Sequence, residues 1–361
     1  MYTYIYKSVY TGLFSIEILK QPEFVMFIKR FRALKYKKNT NKNELGGNEE
    51  MPFKKAEQKF SGKINECVIG VADAAVTLGG EKGLPFLSGE GSAPVVGVEI
   101  LDSYPEDWEK CLVDAYGDVV KDPAAWAKYV QDNTDAQFIA LKLISADPNG
   151  ANKSSEECVE IAKAVEAAID LPLVVAGCNN AEKDGDLLVK VSQALSGKNA
   201  VLFSAVEDNY KSVGVAGNAD GHKVSGQSAV DINLAKQLNI LLTQLGVDGG
   251  NIIMDVGTAA VGYGFEYVAS TMDRIRLAAL GQNDTDLQMP IMTNVGDEAW
   301  GVKEAVFTEE EAPEWGNQEE RGIAMEVSTA ASCLIGGSNA VIVKHPESAK
   351  VIKNFIKELV G

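Results

Sequence analysis

Histidine is scarce in this chain of 361 residues, which contains only His222 and His345. A hydrolase barrel that activates water on a metal ion needs several histidine and carboxylate ligands, so that class is nearly excluded. A GxSxG nucleophile elbow is also absent, which argues against a serine hydrolase. The glycine-rich stretches 214–221 and 257–264 lack both the GxGxxG spacing and a Walker A lysine, so they are weak evidence for a nucleotide site.

Cysteine is rare as well, and its five positions form no CxxC pair. The zinc and iron–sulfur ligand patterns that depend on such pairs are therefore missing. An odd number of cysteines without a disulfide framework is typical of reduced thiols and predicts a cytoplasmic location. Long hydrophobic runs are lacking too. The longest uncharged run near the N-terminus covers 8–16, which is too short to cross a bilayer, so we expect no membrane association.

Positive charge is concentrated at the N-terminus. Residues 1–50 hold nine Lys or Arg against five Glu, so the remaining 311 residues carry a formal charge of −21, compared with −17 for the whole chain. Such an acidic body argues against a nucleic-acid partner and fits a soluble protein that meets other proteins.

The first fifty residues differ from the rest in being basic and aromatic. They end in GGNEE, which back-translates into a purine-rich run like a ribosome-binding site ahead of a start codon. We therefore expect Met51 to be the true initiator, with residues 1–50 an extension foreign to the natural protein. The alternative is an amphipathic segment that binds a membrane surface or a partner.

Eight short apolar runs, each followed by a stretch with helical patterning, fill residues 94–361. Little polar alternation within a run is typical of parallel strands buried on both faces. The pattern predicts an α/β fold, a (β/α)₈ TIM barrel, preceded over residues 51–93 by a β-rich lead-in with a hairpin at 64–71 and 75–78. The predicted strands are 94–101, 136–144, 172–177, 200–206, 223–228, 251–257, 290–296 and 340–345.

One connection is unusually long. Residues 296–319 leave the seventh predicted strand and combine three aromatic residues with several glutamates. Segments of this length in compact domains tend to be functional or mobile. Two interpretations stay open: a solvated acidic loop with its aromatics packed on the body, or a lid or docking surface.

Polar side chains gather at the carboxyl ends of the predicted strands, where barrel enzymes build their sites. These ends offer amides and carboxylates but little that could act as a nucleophile or base near neutral pH. Lys344 could form a Schiff base, although we expect it to be solvated. The candidate binding residues are Asp102, Asn179, Asp255, Gly257, Thr258, Thr293 and Asn294.

From Met51 onward the sequence resembles the small subunit of the corrinoid iron–sulfur protein, the delta subunit of acetyl-CoA decarbonylase/synthase. The resemblance covers nearly all of the 311-residue body. It is carried by FSGKINECVIG (60–70), GGEKGLPFLSGEG (79–91), PVVGVEILD (94–102), NIIMDVGTAAVGYGFEY (251–267), PIMTNVGDEAW (290–300) and EWGNQEERG (314–322).

The resemblance implies a heterodimer with a large subunit that carries an iron–sulfur cluster and a corrinoid domain. The cobamide would lie between that domain and the top of this barrel. A separate methyltransferase would pass a methyl group from methyltetrahydrofolate to the cobalt, and the carrier would deliver it to acetyl-CoA synthase/carbon monoxide dehydrogenase in the Wood–Ljungdahl pathway. By their strand-end positions, the candidate residues listed above would meet the amide side chains of the corrin, and no residue of this chain would be catalytic alone.

Two alternatives remain at this point. The chain could be a free-standing pterin-binding methyltetrahydrofolate:corrinoid methyltransferase, in which Asp255 and Asn294 would hold the pterin. It could also be a structural scaffold whose barrel never touches the cofactor.

Overall fold

The computed structural model describes residues 60–84 and 89–360. Eight parallel strands within that part of the chain form one sheet. Each coincides with one of the eight predicted runs, so the predicted barrel is confirmed. Two further strands, β1 (Glu66–Ile69) and β2 (Val76–Gly79), precede them in the chain. The bounds of the eight are β3 (Val95–Leu101), β4 (Ile139–Lys142), β5 (Leu173–Ala176), β6 (Val201–Ala205), β7 (Lys223–Gln227), β8 (Ile252–Asp255), β9 (Met292–Asn294) and β10 (Ala340–Val343). Their order in the sheet is β8-β7-β6-β5-β4-β3-β10-β9.

The sheet closes into a barrel at a seam between β8 and β9. Neighbours such as β3 and β4 share four paired positions, whereas β8 and β9 are joined by a single bridge between Met254 and Ile291. The Met254 amide donates a hydrogen bond across this seam to the Pro290 carbonyl at 2.8 Å. Pro290 itself has no N–H to donate, which limits pairing on its side.

Helices cover the outside of the barrel, and the sequence marks where several begin. Asp122 and Asp231 cap helices by accepting hydrogen bonds from the backbone amides two and three residues later, and Ser154 with Glu157 forms a capping box. The helices are α1 (Lys110–Asp114), α2 (Pro123–Asn133), α3 (Ser155–Ala168), α4 (Ala181–Ala194), α5 (Tyr210–Asp220), α6 (Ile232–Gln244), α7 (Phe265–Gly281), α8 (Gly296–Trp300), α9 (Lys303–Val306), α10 (Gln318–Gly336) and α11 (Pro346–Val360). Short 3₁₀ turns lie at Ala72–Ala74, Gly117–Lys121, Ile144–Ala146, Gly249–Asn251, Thr285–Leu287 and Pro313–Trp315.

The barrel interior is filled by alternate residues of the strands, as the two-residue period of a strand requires. One buried cluster combines inward residues such as Val95, Phe138 and Ile342, while the other strand residues pack against the helices. Gly97 makes room for the Phe138 ring, because a Cβ at that glycine would lie 2.2 Å from a ring carbon. The interior is therefore a packed core rather than a channel.

The predicted hairpin is present and closes the amino-terminal end of the barrel. Strands β1 (Glu66–Ile69) and β2 (Val76–Gly79) pair antiparallel. The side chains of Cys67, Ile69 and Leu78 are buried in the same cluster as the first inward residues of the barrel strands. The hairpin does not cover the opposite end of the barrel, where the strands have their carboxyl ends, so a ligand site can form there.

The remaining domain predictions fall largely beyond what the structure describes. The interpretation of residues 1–50 as a foreign extension lies outside the described residues, as do residues 51–59 and 85–88 of the lead-in. Within the described residues, no helix combines the length and the apolar character that crossing a membrane requires.

The long connection 296–319 contains regular structure, namely α8, α9 and a 3₁₀ turn at Pro313–Trp315. Trp300 is buried, while Phe307 stacks on Trp315 with ring centroids 5.9 Å apart. The Arg321 side chain donates to the carbonyls of Glu304, Phe307 and Gly316 and ties the connection to α10. Within this connection, the aromatic residues contact the body or one another.

Candidate functional site

The carboxyl ends of the strands surround a cavity of about 450 Å³, the main cavity. A volume of this size lies at the lower end of the range for small-molecule sites. Five of the seven predicted site residues line it and so are brought together from three βα units: Asn179, Asp255, Gly257, Thr258 and Asn294.

Asp102 and Thr293 do not line the main cavity. Asp102 is buried and accepts hydrogen bonds from the backbone amide of Ser145, at 2.9 Å, and from the Ser145 hydroxyl. Thr293 is buried and lies 3.1 Å from the Ser338 hydroxyl oxygen. Successive strand residues point to opposite faces of a sheet. Asn294 faces the interior of the barrel, and its neighbour Thr293 therefore faces outward. Both residues join elements of the fold instead.

Asp255 is the buried acid of the main cavity. Its Oδ1 accepts a hydrogen bond from the Gly257 amide at 2.9 Å, and its Oδ2 lies 3.4 Å from the Ser204 hydroxyl oxygen. Burial raises the pKa of Asp255 to about 6, against the lowering effect of hydrogen bonds from Gly257, Ser204 and Gln227. The carboxyl group therefore changes its charge just below neutral pH.

The cavity wall beside Asp255 contains residues with positive φ. Ala229 and Val230 have φ of 44° and 67°, and Gly257 has φ of 71°. A β-branched residue in this region is a real outlier, and such strain tends to occur at ligand sites. A Cβ at Gly257 would lie 3.6 Å from the Ala229 Cα. The two loops therefore pack closely on this side of the cavity.

Four charged side chains that the sequence did not single out as a group form the mouth cluster: Glu99, Lys142, Asp297 and Lys344. Asp297 Oδ2 lies 2.6 Å from Lys142 Nζ, and Asp297 Oδ1 lies 2.7 Å from Lys344 Nζ. Lys344 Nζ is also 3.7 Å from Glu99 Oε1. Two lysine side chains thus face two carboxyl groups where the strands end.

The cluster has strong electrostatic effects on its members. Burial raises the pKa of Asp297, but the ammonium groups of Lys344 and Lys142 outweigh it and lower that pKa to about 2. The pKa of Glu99 is raised, first by burial and then by the charge of Asp297. Asp297 therefore stays ionised at neutral and mildly acidic pH.

Lys344 is buried in the structure, so the expectation that it would be solvated was wrong. Its amide and that of His345 donate to the buried carboxylate of Glu326, and its carbonyl accepts from the Tyr116 hydroxyl. Its ammonium nitrogen lies 5.1 Å from the centroid of the Trp108 ring. The Lys344 backbone is thus held from two sides, which directs the side chain into the mouth.

A second recess of about 290 Å³ lies on the other side of the mouth cluster. Lys142 and Asp297 line both spaces, so their ion pair separates this recess from the main cavity. Trp108 and Trp300 form its aromatic walls.

Sequence reasoning missed Glu99 and Lys142 because each lies inside a predicted apolar strand. Their positions do carry a signal, since they follow Gly97 and Ala140 at the inward-facing period of two. A charged residue within a strand that is apolar on both faces would have indicated a polar layer inside the barrel.

A family model described as CO dehydrogenase/acetyl-CoA synthase delta subunit matches residues 66–345. The chain belongs to this family. It is 33% identical to the acetyl-CoA decarbonylase/synthase complex subunit delta of Archaeoglobus fulgidus, over 86% of this chain and 71% of the relative. It is 31% identical to the subunit of the same name from Methanocaldococcus jannaschii, over 86% of this chain and 77% of the relative.

Solved structures with a similar fold include a dihydropteroate synthase from Xanthomonas albilineans bound to 4-aminobenzoic acid. The TM-score is 0.53 at 13% identity, over 82% of this chain and 98% of the other. At this identity the likeness shows the barrel fold alone.

As a member of the delta-subunit family, the chain presents a mouth suited to binding. The described residues hold no group of three or more histidine, cysteine or carboxylate side chains that could hold a metal ion. Asn294, Gln227 and Ser204 supply hydrogen bonds, and Asp255 adds an acceptor. This arrangement can orient a polar ligand.

Proposed function

We propose that this delta-subunit family member is the small subunit of a heterodimeric corrinoid iron–sulfur methyl carrier. Its barrel mouth helps to hold the cobamide, together with a large subunit that carries the iron–sulfur cluster. The proposal places the protein in the cytoplasm, between a methyltetrahydrofolate methyltransferase and acetyl-CoA synthase/carbon monoxide dehydrogenase.

The main cavity supplies the observation that carries this proposal. It is lined with amides, hydroxyls and carboxyl groups, and Asn294 Oδ1 is a buried acceptor without a hydrogen-bond partner among the described residues. Such an acceptor fits a ligand that offers N–H donors, as the amide side chains of a corrin do. The residues that we propose to hold those amides are Asn179, Asp255, Thr258 and Asn294, with Gly257 leaving the backbone accessible.

A bound cobamide would supply the cobalt that carries the methyl group. The part played by this chain is positional. Asn294 and Asp255 would accept hydrogen bonds from peripheral amides, and the mouth cluster would keep its lysine side chains paired with carboxyl groups near the cofactor. We propose no cofactor-binding role for Asp102 or Thr293, whose side chains bond to other parts of the fold.

The test is corrinoid retention by the assembled heterodimer. The chain would be co-expressed with its large subunit, and corrinoid absorbance per heterodimer would be measured after gel filtration. We expect Asn294→Leu to lower retention several-fold, because the buried acceptor is lost. Asp208→Asn, which changes an exposed acid near the mouth, should leave retention unchanged.

Two results would contradict the proposal. Retention that is unaffected by Asn294→Leu and by Asp255→Asn would make the barrel a scaffold that does not contact the cofactor. Methyl transfer from methyltetrahydrofolate to free cobalamin by the purified chain alone would make it a methyltransferase in its own right.

A further inference from the structure

The Asn294 carboxamide lies between the mouth cluster and the main cavity, and its two ends have different surroundings. Its Nδ2 donates to Glu99 Oε2 at 2.9 Å and to Asp297 Oδ2 at 3.2 Å. Its Oδ1 has no hydrogen-bond partner among the described residues. The amide is therefore held at its donor end only.

The reverse orientation is electrostatically unfavourable. It would bring the amide oxygen to the positions near Glu99 and Asp297 that Nδ2 now occupies, and it would then face carboxylate oxygens, which only accept when the group is ionised. The two lysines keep Asp297 ionised, so it can only accept. The two carboxyl groups thus fix the orientation of the Asn294 carboxamide through its Nδ2.

Glu99 contributes more to this orientation than Asp297. The oxygens of Asp297 already accept from Lys142 and Lys344 at 2.6 and 2.7 Å. Oε2 of Glu99 has Asn294 Nδ2 as its hydrogen-bond donor, at the shorter of the two distances. Glu99 is 2% exposed, so water competes little for that oxygen.

We propose that Glu99 is a positioning residue that fixes the Asn294 carboxamide with its oxygen toward the main cavity, so that the mouth selects a ligand group that donates an N–H hydrogen bond at this point. Asp255, at the end of the adjacent strand β8, is a second acceptor in the same cavity when it is ionised. That this ligand group is an amide side chain of a corrin rests on the proposed function. The preference of the site for N–H donors does not depend on it.

The probes are N-methylpropionamide and methyl propionate, which have nearly the same shape and differ in having an N–H or an ester oxygen. Each would be titrated into the isotope-labelled full-length chain, with the Gly257 amide and the Asn294 side-chain amide followed by NMR. We expect the wild type to bind the amide about two- to tenfold more tightly, the value of one net hydrogen bond.

Glu99→Gln then tests the positioning role. Glutamine has nearly the same shape but offers Asn294 both a donor and an acceptor, so the carboxamide can turn over. The preference for the amide probe should fall toward one. The matched control is Glu298→Gln, since Glu298 lines the same cavity without a hydrogen bond to Asn294; it should keep the wild-type preference.

Equal binding of the two probes by the wild type overturns the inference, whether or not Glu99→Gln folds. An unchanged preference in a folded Glu99→Gln variant overturns the role of Glu99. Because these titrations involve no partner and no corrinoid, their failure would leave the retention test of the proposed function unaffected. Loss of retention by Asn294→Leu would in turn say nothing about Glu99.

Discussion

At the scale of single residues, the inward or outward direction of a strand residue decides whether it can belong to the site. Thr293 and Asn294 are neighbours in sequence, yet only Asn294 lines the main cavity. The two-residue period of a strand also explains why the Glu99 side chain, within an apolar strand, points toward the interior of the barrel and joins the mouth cluster. Burial then sets the chemistry of those side chains that face inward.

Asp255 should make the stability of the fold depend on pH. The unfolded chain ionises this group near 3.8, whereas the folded protein keeps the proton up to about pH 6. The folded state therefore binds more protons between these values, and stability falls as pH rises through them. The cost reaches at most about 3 kcal/mol above pH 6, from a shift of about two pKa units.

Asp255→Asn removes this titration. In urea unfolding, we expect the free energy of unfolding of Asp255→Asn relative to wild type to increase by about 1–3 kcal/mol between pH 4.5 and pH 7.5. Asp208→Asn, with an exposed carboxyl group, should show no such change. If the difference in free energy of unfolding between Asp255→Asn and wild type did not change with pH, the raised pKa of Asp255 would be refuted.

Lys344→Met should be strongly destabilising. It leaves Glu99 and Asp297 with only one lysine in a largely buried cluster, and breaking such a pair on one side costs about 3–5 kcal/mol. Lys350→Met removes an exposed i,i+3 pair with Glu347 and should cost less than about 1 kcal/mol. Chemical denaturation of the two variants at neutral pH compares them directly, and similar losses would argue against the cluster.

The sequence was informative about candidates at strand ends but not about their directions. Asp255 and Asn294 were predictable because they end apolar runs. The outward direction of Asp102 and Thr293 was not, since a shift of one residue in strand register reverses every side chain. The pairing of Lys344 with Asp297, from a different βα unit, depends on closure of the barrel and cannot be read from local sequence.

At the scale of elements, the hairpin of β1 and β2 covers the amino-terminal end of the barrel core. Its alternating burial places Ile69 inside and leaves Val68 43% exposed. The alternation was visible in the sequence as INECVIGV, and so were the helix caps at Asp122, Ser154 and Asp231. The short helices α8 and α9 were not, because neither has a periodic pattern long enough to recognise.

Ile69→Ala should therefore cost about 2–4 kcal/mol, through lost burial and the cavity left behind. Val68→Ala, one residue away on the exposed face, should cost less than about 1 kcal/mol. Unfolding in urea with far-UV detection measures both. Equal effects would show that the hairpin is not part of the cooperative core.

At the scale of the whole molecule, the barrel is closed unevenly. Most neighbouring strands share several paired positions, but β8 and β9 meet at the single bridge between Met254 and Ile291. The number of strands and their order could be predicted from the eight apolar runs. The weak seam could not, because it depends on how eight twisted strands meet after a full circuit.

Native-state hydrogen exchange should report this seam. The Met254 amide, whose hydrogen bond crosses it, is expected to exchange through a lower-energy opening than the amides of Ile100 or Leu141 in β3 and β4. The comparison is made at low denaturant in a single sample, so differences in global stability cancel. Equal protection at all three amides would mean that the barrel opens only as one unit.

The seam also lies between the two acceptors of the main cavity, since Asp255 ends β8 and Asn294 ends β9. Their spacing is not locked by a full ladder of backbone bonds, unlike that between other adjacent strand ends. A bound ligand could therefore increase or decrease the distance between these two side chains without breaking the hydrogen bonds of the sheet. Such movement at the seam would let the same two residues bind ligands that carry different substituents.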